Sequence, residues 1–124
     1  YLPHNYTHNC VVYTGTHDND TVMGWYDTLK GADKKLCDDY LRLKNADGEQ
    51  IPREQIPWEF VRAAMSSVAN LAIIPMQDYL GLGSEARINI PSTLGINWKW
   101  RMGNGDFTKE LAGRIRSMTK LYGR

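Results

Sequence analysis

The stretch C-V-V-Y-T-G-T-H-D-N-D, Cys10 to Asp20, constrains this chain most. It opens as a short apolar run and passes without a spacer into a dense polar cluster. A run rich in Val and Tyr, with no polar alternation, predicts a strand buried on both faces. Gly15 permits a sharp exit, and Thr16, His17, Asp18, Asn19 and Asp20 follow at once. In parallel α/β folds the chemistry sits at the carboxyl ends of strands, where rigid elements hand over to loops. The cluster therefore marks the expected active edge.

Downstream, Val22, Trp25, Tyr26 and Leu29 recur at helical spacing, with Asp20 placed to cap that helix and Gly31 to break it. A second helix is expected from about Asp33, with Leu36, Cys37, Tyr40, Leu41 and Leu43 on one side, before the turn Asn45 to Gly48. Pro57 suits the first turn of a third helix, whose stripe is Trp58, Val61, Met65 and Val68. L-A-I-I, Leu71 to Ile74, reads as a second buried strand. A glycine-punctuated loop then runs from Tyr79 to about Arg101. A last helix, Thr108 to Tyr122, stacks Leu111, Ile115, Met118 and Tyr122. The order strand, helices, strand, loop, helix amounts to two β-α units, hence α/β with a parallel sheet. Two strands cannot complete such a sheet, because each leaves an unpaired edge. A closed barrel of this type takes about 250 residues, so 124 residues beginning at Tyr1 rather than Met suit the last quarter of one, a piece of a longer chain.

Bulk properties narrow the function classes. A hydrophobic content of 42%, a charged content of 23% and a net charge of +1 are those of an ordinary globular unit. No apolar run is long enough to span a bilayer, and no signal-peptide pattern opens the chain. Cys10 and Cys37 are too few for a disulfide scaffold and suit free thiols in a reducing compartment. From Lys99 onward, Lys99, Arg101, Lys109, Arg114, Arg116, Lys120 and Arg124 face only Asp106 and Glu110. These basic residues interleave with an apolar helical stripe, so they read as a solvated helix face rather than a nucleic-acid footprint.

The T-G-T-H-D-N-D cluster admits two chemistries. Carboxylates and an imidazole at a strand end can hold a divalent metal, or grip the hydroxyls of a polyhydroxylated ligand. Asp20 has a purely structural reading as a cap; His17 and Asp18 are the functional candidates. G-L-G-S-E-A-R, Gly81 to Arg87, has the glycines of a phosphate cradle without G-K-[ST] and is a poor nucleotide site. N-W-K-W-R, Asn97 to Arg101, puts Trp98 and Trp100 on one face if extended. Indoles serve as sugar platforms when exposed and as core when buried; core is the reading adopted for both and for Trp58.

Y-L-P-H-N-Y, V-V-Y-T-G-T-H-D-N-D-T with G-W, M-Q-D-Y-L-G-L-G-S-E-A-R-I-N-I-P and N-W-K-W-R, in this order, closely resemble the C-terminal part of the amylomaltases. These are the 4-α-glucanotransferases, or disproportionating enzymes, of the α-amylase clan. The resemblance runs from Tyr1 to Met102. It implies that residues 1–124 supply the last two β-α units of a (β/α)8 TIM barrel, the remainder lying upstream. It also implies transfer of a glucanosyl segment from an α-1,4-glucan to the 4-hydroxyl of glucose or another glucan, with retention. Retention uses a nucleophilic carboxylate and an acid/base carboxylic acid about 5–5.5 Å apart; the resemblance assigns these to an Asp and a Glu on earlier strands, outside this chain.

By motif match, Asp18 is the third, catalytic carboxylate, hydrogen-bonded to the sugar at the cleavage point. His17 and Asn89 are substrate-binding. The resemblance implies no cofactor and no metal. The implied partners are α-1,4-glucans, maltooligosaccharides and glucose, with no nucleic acid or membrane. The implied compartment is the cytoplasm, or the plastid stroma in a plant. Ser92 stands where many relatives of that family have Gly, and its Cβ disfavours a positive φ beyond Pro91. The alternative function is a non-catalytic glucan-binding module using the Trp-rich loop. A metal-dependent phosphohydrolase is a third reading, separable by metal analysis.

Overall fold

The computed structural model describes residues 2–124; Tyr1, the first residue of the Y-L-P-H-N-Y run, lies outside them. Two three-residue strands, β1 (Val11–Tyr13) and β2 (Leu71–Ile73), pair in parallel with Val11 opposite Leu71, Val12 opposite Ala72 and Tyr13 opposite Ile73. Parallel neighbours need a long crossover. Here it consists of α1 (Val22–Thr28), α2 (Gly31–Leu41) and α3 (Ile56–Met65). After β2 come a single turn, α4 (Met76–Tyr79), a long irregular segment, and α5 (Lys109–Leu121).

α3 is the hub. Its Pro57 occupies the first turn, where a missing N–H costs nothing. Ile56, Trp58, Val61, Ala64 and Met65 are buried along it. One flank meets Met23, Tyr26, Leu41 and Leu43; another meets Val12 and Ala69 beneath the strands. The third carries Trp58, Val61 and Met65, against which Leu111, Ile115, Met118 and Tyr122 of α5 pack. That stripe is the one predicted for the last helix, and Thr108 caps it by accepting from Leu111 N at 3.1 Å. Arg114 lies over the Trp58 ring, 3.8 Å from its centroid, while burial holds its guanidinium below the ordinary arginine range. Trp58 is core, as expected.

Several expectations need correction. The strands are not buried on both faces: Val12 is buried, but Val11 and Tyr13 are exposed, and so are Leu71 and Ile73 beside them. Because the register is direct, all four share one open face, while Val12 and Ala72 point toward α3. Gly31 does not merely break α1; with φ of +54° it turns the chain and opens α2. Leu43 lies beyond α2, where Arg42 adopts a left-handed conformation, and is fully buried. Val68 lies past the end of α3 and is exposed.

Candidate functional site

The end of β1 is organised by short-range chemistry. Thr16 donates to Asn19 Oδ1 through both N and Oγ1, at 2.8 and 2.9 Å, closing a tight turn immediately after the strand. The helix cap falls one residue later than predicted: Thr21 accepts from Gly24 N at 3.0 Å. Asp20 instead accepts from Thr21 N at 2.8 Å and from Ser84 Oγ at 2.6 Å. Its carboxylate comes so close to α1 that a Cβ on Gly24 would collide with it and with Ser84 Oγ. Asn19 and Asp20 are thus spent on structure, and His17 and Asp18 point outward.

Asp78 belongs to the structural group. It is buried, accepts from Thr14 Oγ1 at 2.5 Å and Val22 N at 2.8 Å, and so ties the end of β1 to the start of α1. Burial pushes its carboxyl above the usual carboxylate range, although both hydrogen bonds pull the other way. Gln77 beside it is likewise buried and donates to Ala86 O at 3.1 Å.

The end of β2 feeds the other half of the site. Asn89, separated from Asp18 by 71 positions, donates through Nδ2 to Asp18 Oδ1 at 2.7 Å. His17 Nε2 lies 3.3 Å from that same oxygen, with both side chains about half exposed. Asn89 N also donates to His17 O at 3.1 Å. The three residues singled out from sequence, His17, Asp18 and Asn89, therefore meet at one point. Asp18 Oδ2 has no hydrogen bond among the described residues, so acceptor sites face outward.

Two further residues join them. Arg87 donates from one terminal nitrogen to Asp18 O at 2.7 Å and from Nε to Asn89 O at 2.9 Å. Trp98, expected in the core, is exposed; its ring stands 5.0 Å from the His17 ring, tilted by 37°. It gets there because residues 88–98 form a closed loop, with Trp98 N donating to Ile88 O at 2.7 Å. Asn97 fills that loop, accepting from Ile90 N at 2.9 Å and donating to Thr93 O at 3.1 Å. Ser92 and Trp98 both take left-handed conformations, φ +62° and +63°. Its Cβ does not keep Ser92 out of a positive φ. Such conformations in residues other than Gly cost on the order of 1–3 kcal/mol and concentrate at functional sites.

Elsewhere, Cys37 is a poor nucleophile, since burial pushes its thiol up to about 11. Tyr26, Lys34 and Asp38 form a hydrogen-bonded cluster, Tyr26 donating to Asp38 at 2.7 Å and Lys34 at 2.8 Å. It pins α2 to α1. Among the described residues no group of three His, Cys, Asp or Glu converges to hold a metal, and no helix is long and apolar enough to cross a membrane.

Parallel strands backed by helices, with a carboxylate, an imidazole and a carboxamide gathered where the strands end, define a portion of an α/β fold with a polar site at its carboxyl edge. The chain belongs to the glycoside hydrolase 77 family, described as 4-alpha-glucanotransferase, which matches residues 1–107. It is 50% identical to the 4-alpha-glucanotransferase of Clostridium butyricum, over all of this chain and 24% of that protein. It is 46% identical to the chloroplastic/amyloplastic 4-alpha-glucanotransferase of Arabidopsis thaliana, over all of this chain and 21% of that protein. Its structure is similar to that of the amylomaltase from Streptococcus agalactiae solved in complex with acarbose. The TM-score is 0.88 at 35% identity, over 99% of this chain and 23% of that one. The chain thus spans about a quarter of the length of the relatives it matches.

Proposed function

We propose that residues 1–124 are the C-terminal portion of a retaining 4-α-glucanotransferase and supply the last two β-α units of its (β/α)8 barrel. Within it, Asp18 stabilises the transition state. The observation that carries this is the meeting of Asp18, His17 and Asn89 at the carboxyl ends of two adjacent parallel strands. A carboxylate offers about four acceptor positions; Asn89 and the His17 ring both face Oδ1, leaving Oδ2 open. The open positions suit hydroxyls of the sugar ring at the cleavage point. Hydrogen bonds that tighten as that ring flattens toward an oxocarbenium ion bind the transition state more strongly than the ground state.

The nucleophile and acid/base belong to earlier strands, in a barrel whose interior the open face of Val11, Tyr13, Leu71 and Ile73 helps to line. Substrates are α-1,4-glucans, with glucose or another glucan as acceptor. The compartment is the cytoplasm, or the plastid stroma in a plant.

The test is maltotriose disproportionation by the longer protein that contains this chain. Glucose and longer maltooligosaccharides are expected, with α-configuration retained. Asp18→Asn should lower kcat by about 10²–10³-fold, the usual effect of losing one preorganised polar contact at the transition state. Undiminished turnover in that variant would remove Asp18 from the mechanism. The exposed Trp98 favours a second reading, a glucan-binding surface without catalysis. Glucan binding that survives loss of Asp18 but not of Trp98, in a protein with no transferase activity, would select it.

A further inference from the structure

We propose that Arg87 is the positioning residue for Asp18, acting through the main chain rather than through the substrate. The proposal rests on the transferase reading above. Asp18 and Asn89 sit on loops that leave different strands, and neither loop has regular structure where they meet. Four hydrogen bonds join the two loops or brace the junction. Asn89 Nδ2 reaches Asp18 Oδ1 at 2.7 Å, and Asn89 N reaches His17 O at 3.1 Å. The other two come from one guanidinium, to Asp18 O at 2.7 Å and to Asn89 O at 2.9 Å.

A planar guanidinium holds its N–H groups in a fixed fork, so two carbonyls bound to it are held at a fixed separation and angle. Those two carbonyls belong to the carboxylate-bearing residue and to its amide partner. The register between the loops, and with it the direction of the Asp18 carboxylate, is therefore set from behind by Arg87. Lysine has no such fork and can reach both carbonyls only at the expense of geometry.

The experiment compares Arg87→Gln and Arg87→Lys with the parent in the longer enzyme, by steady-state maltotriose disproportionation. A misplacement of about 1 Å at a reacting centre can cost on the order of 10²-fold in rate. For Arg87→Gln the expected result is a kcat about 10–100-fold lower, with KM within about threefold, because a misdirected Asp18 carboxylate weakens hydrogen bonds that reach full strength only in the transition state. Arg87→Lys should fall between the two, and it decides the matter if Arg87→Gln does not fold. In an Asp18→Asn background the same Arg87 substitution should cost less than about twofold more, since residues acting as one unit are not additive.

Parent-like kcat in a folded Arg87 variant overturns the proposal. So does an Arg87 effect of equal size with and without the Asp18 carboxylate, which marks a merely structural role. A parent enzyme that does not disproportionate maltotriose overturns the transferase reading itself, and the two failures are thereby distinguished.

Discussion

Within the same two strands, Val12 is 4% exposed while its neighbour Tyr13 is 44% exposed, and across the pairing partly buried Ala72 beside exposed Ile73 shows a weaker form of the contrast. One face rests on Ala64 and Ala69 and is continuous with the α3 core. The other presents Val11, Tyr13, Leu71 and Ile73, each between 40% and 51% exposed. Both faces are apolar, so composition does not explain the difference. Alternation that should read apolar-in and polar-out reads apolar on both sides, as in sheets covered twice. On the proposed reading the second covering is the rest of the barrel.

A charge placed on the open face, in the longer protein, separates the two faces most strongly. Tyr13→Asp should cost on the order of 4 kcal/mol or more, as expected for an unpaired charge forced into a packed interior. Leu94→Asp, at a fully exposed loop tip, should leave the melting temperature unchanged. If thermal unfolding shows the two variants to be equally benign, the open face is a solvent face and the barrel reading of it falls.

On the covered side, Trp58→Ala should cost about 3–5 kcal/mol, the range for large aromatic truncations in cores. Part of that cost comes from the Arg114 guanidinium stacked on the ring, so Arg114→Met in the Trp58→Ala background should add little, measured by denaturant midpoint.

The smallest effect belongs to Asp78, at the polar seam where β1 meets α1. Its folded-state carboxyl is raised above the ordinary value by burial. The native state therefore holds the proton to higher pH than the unfolded chain does. The associated stability is fully present below the ordinary carboxylate pKa and is lost as pH rises through the raised folded value. Asp78→Asn keeps an acceptor for Val22 N and removes this slope. Its stability relative to the parent should improve from acid to neutral pH in parallel urea melts, whereas Asp78→Ala should cost about 1–3 kcal/mol for the donors left unpaired.

Much of this was legible in the chain because the deciding forces were local. The recurrence of Trp58, Val61 and Met65, and of Leu111, Ile115 and Met118, at every third or fourth position is a helical spacing, and spacings survive folding. The polar cluster after β1 was legible for the same reason, as was the parallel pairing implied by two strands separated by helices. What was not legible depends on where loops return. Nothing in E-A-R-I-N tells that Arg87 turns back to the Asp18 carbonyl, or that Trp98 leaves the core for the His17 ring. The one available signal was proximity in sequence: Arg87 lies two residues from Asn89, and Trp98 next to Asn97, which closes the loop. Asp20 shows the opposite failure. A good capping side chain was present, yet Thr21 takes the cap while Asp20 is engaged by Thr21 N and by Ser84, 64 positions away.

That separation has a consequence for the order of events in synthesis. Asp18 and Asn89 are 71 positions apart, and ribosomes add about 5–20 residues per second, so the carboxylate emerges roughly 4–14 s before its amide partner. For most of that interval β1 has no β2 beside it, because β2 is made only about 16 residues before Asn89, and the site exists only as one half. The nascent chain can form α1, α2 and α3 in this time, but the site cannot close until residue 89 has left the tunnel, which places its completion after those helices and before α5 in the biogenesis of this segment.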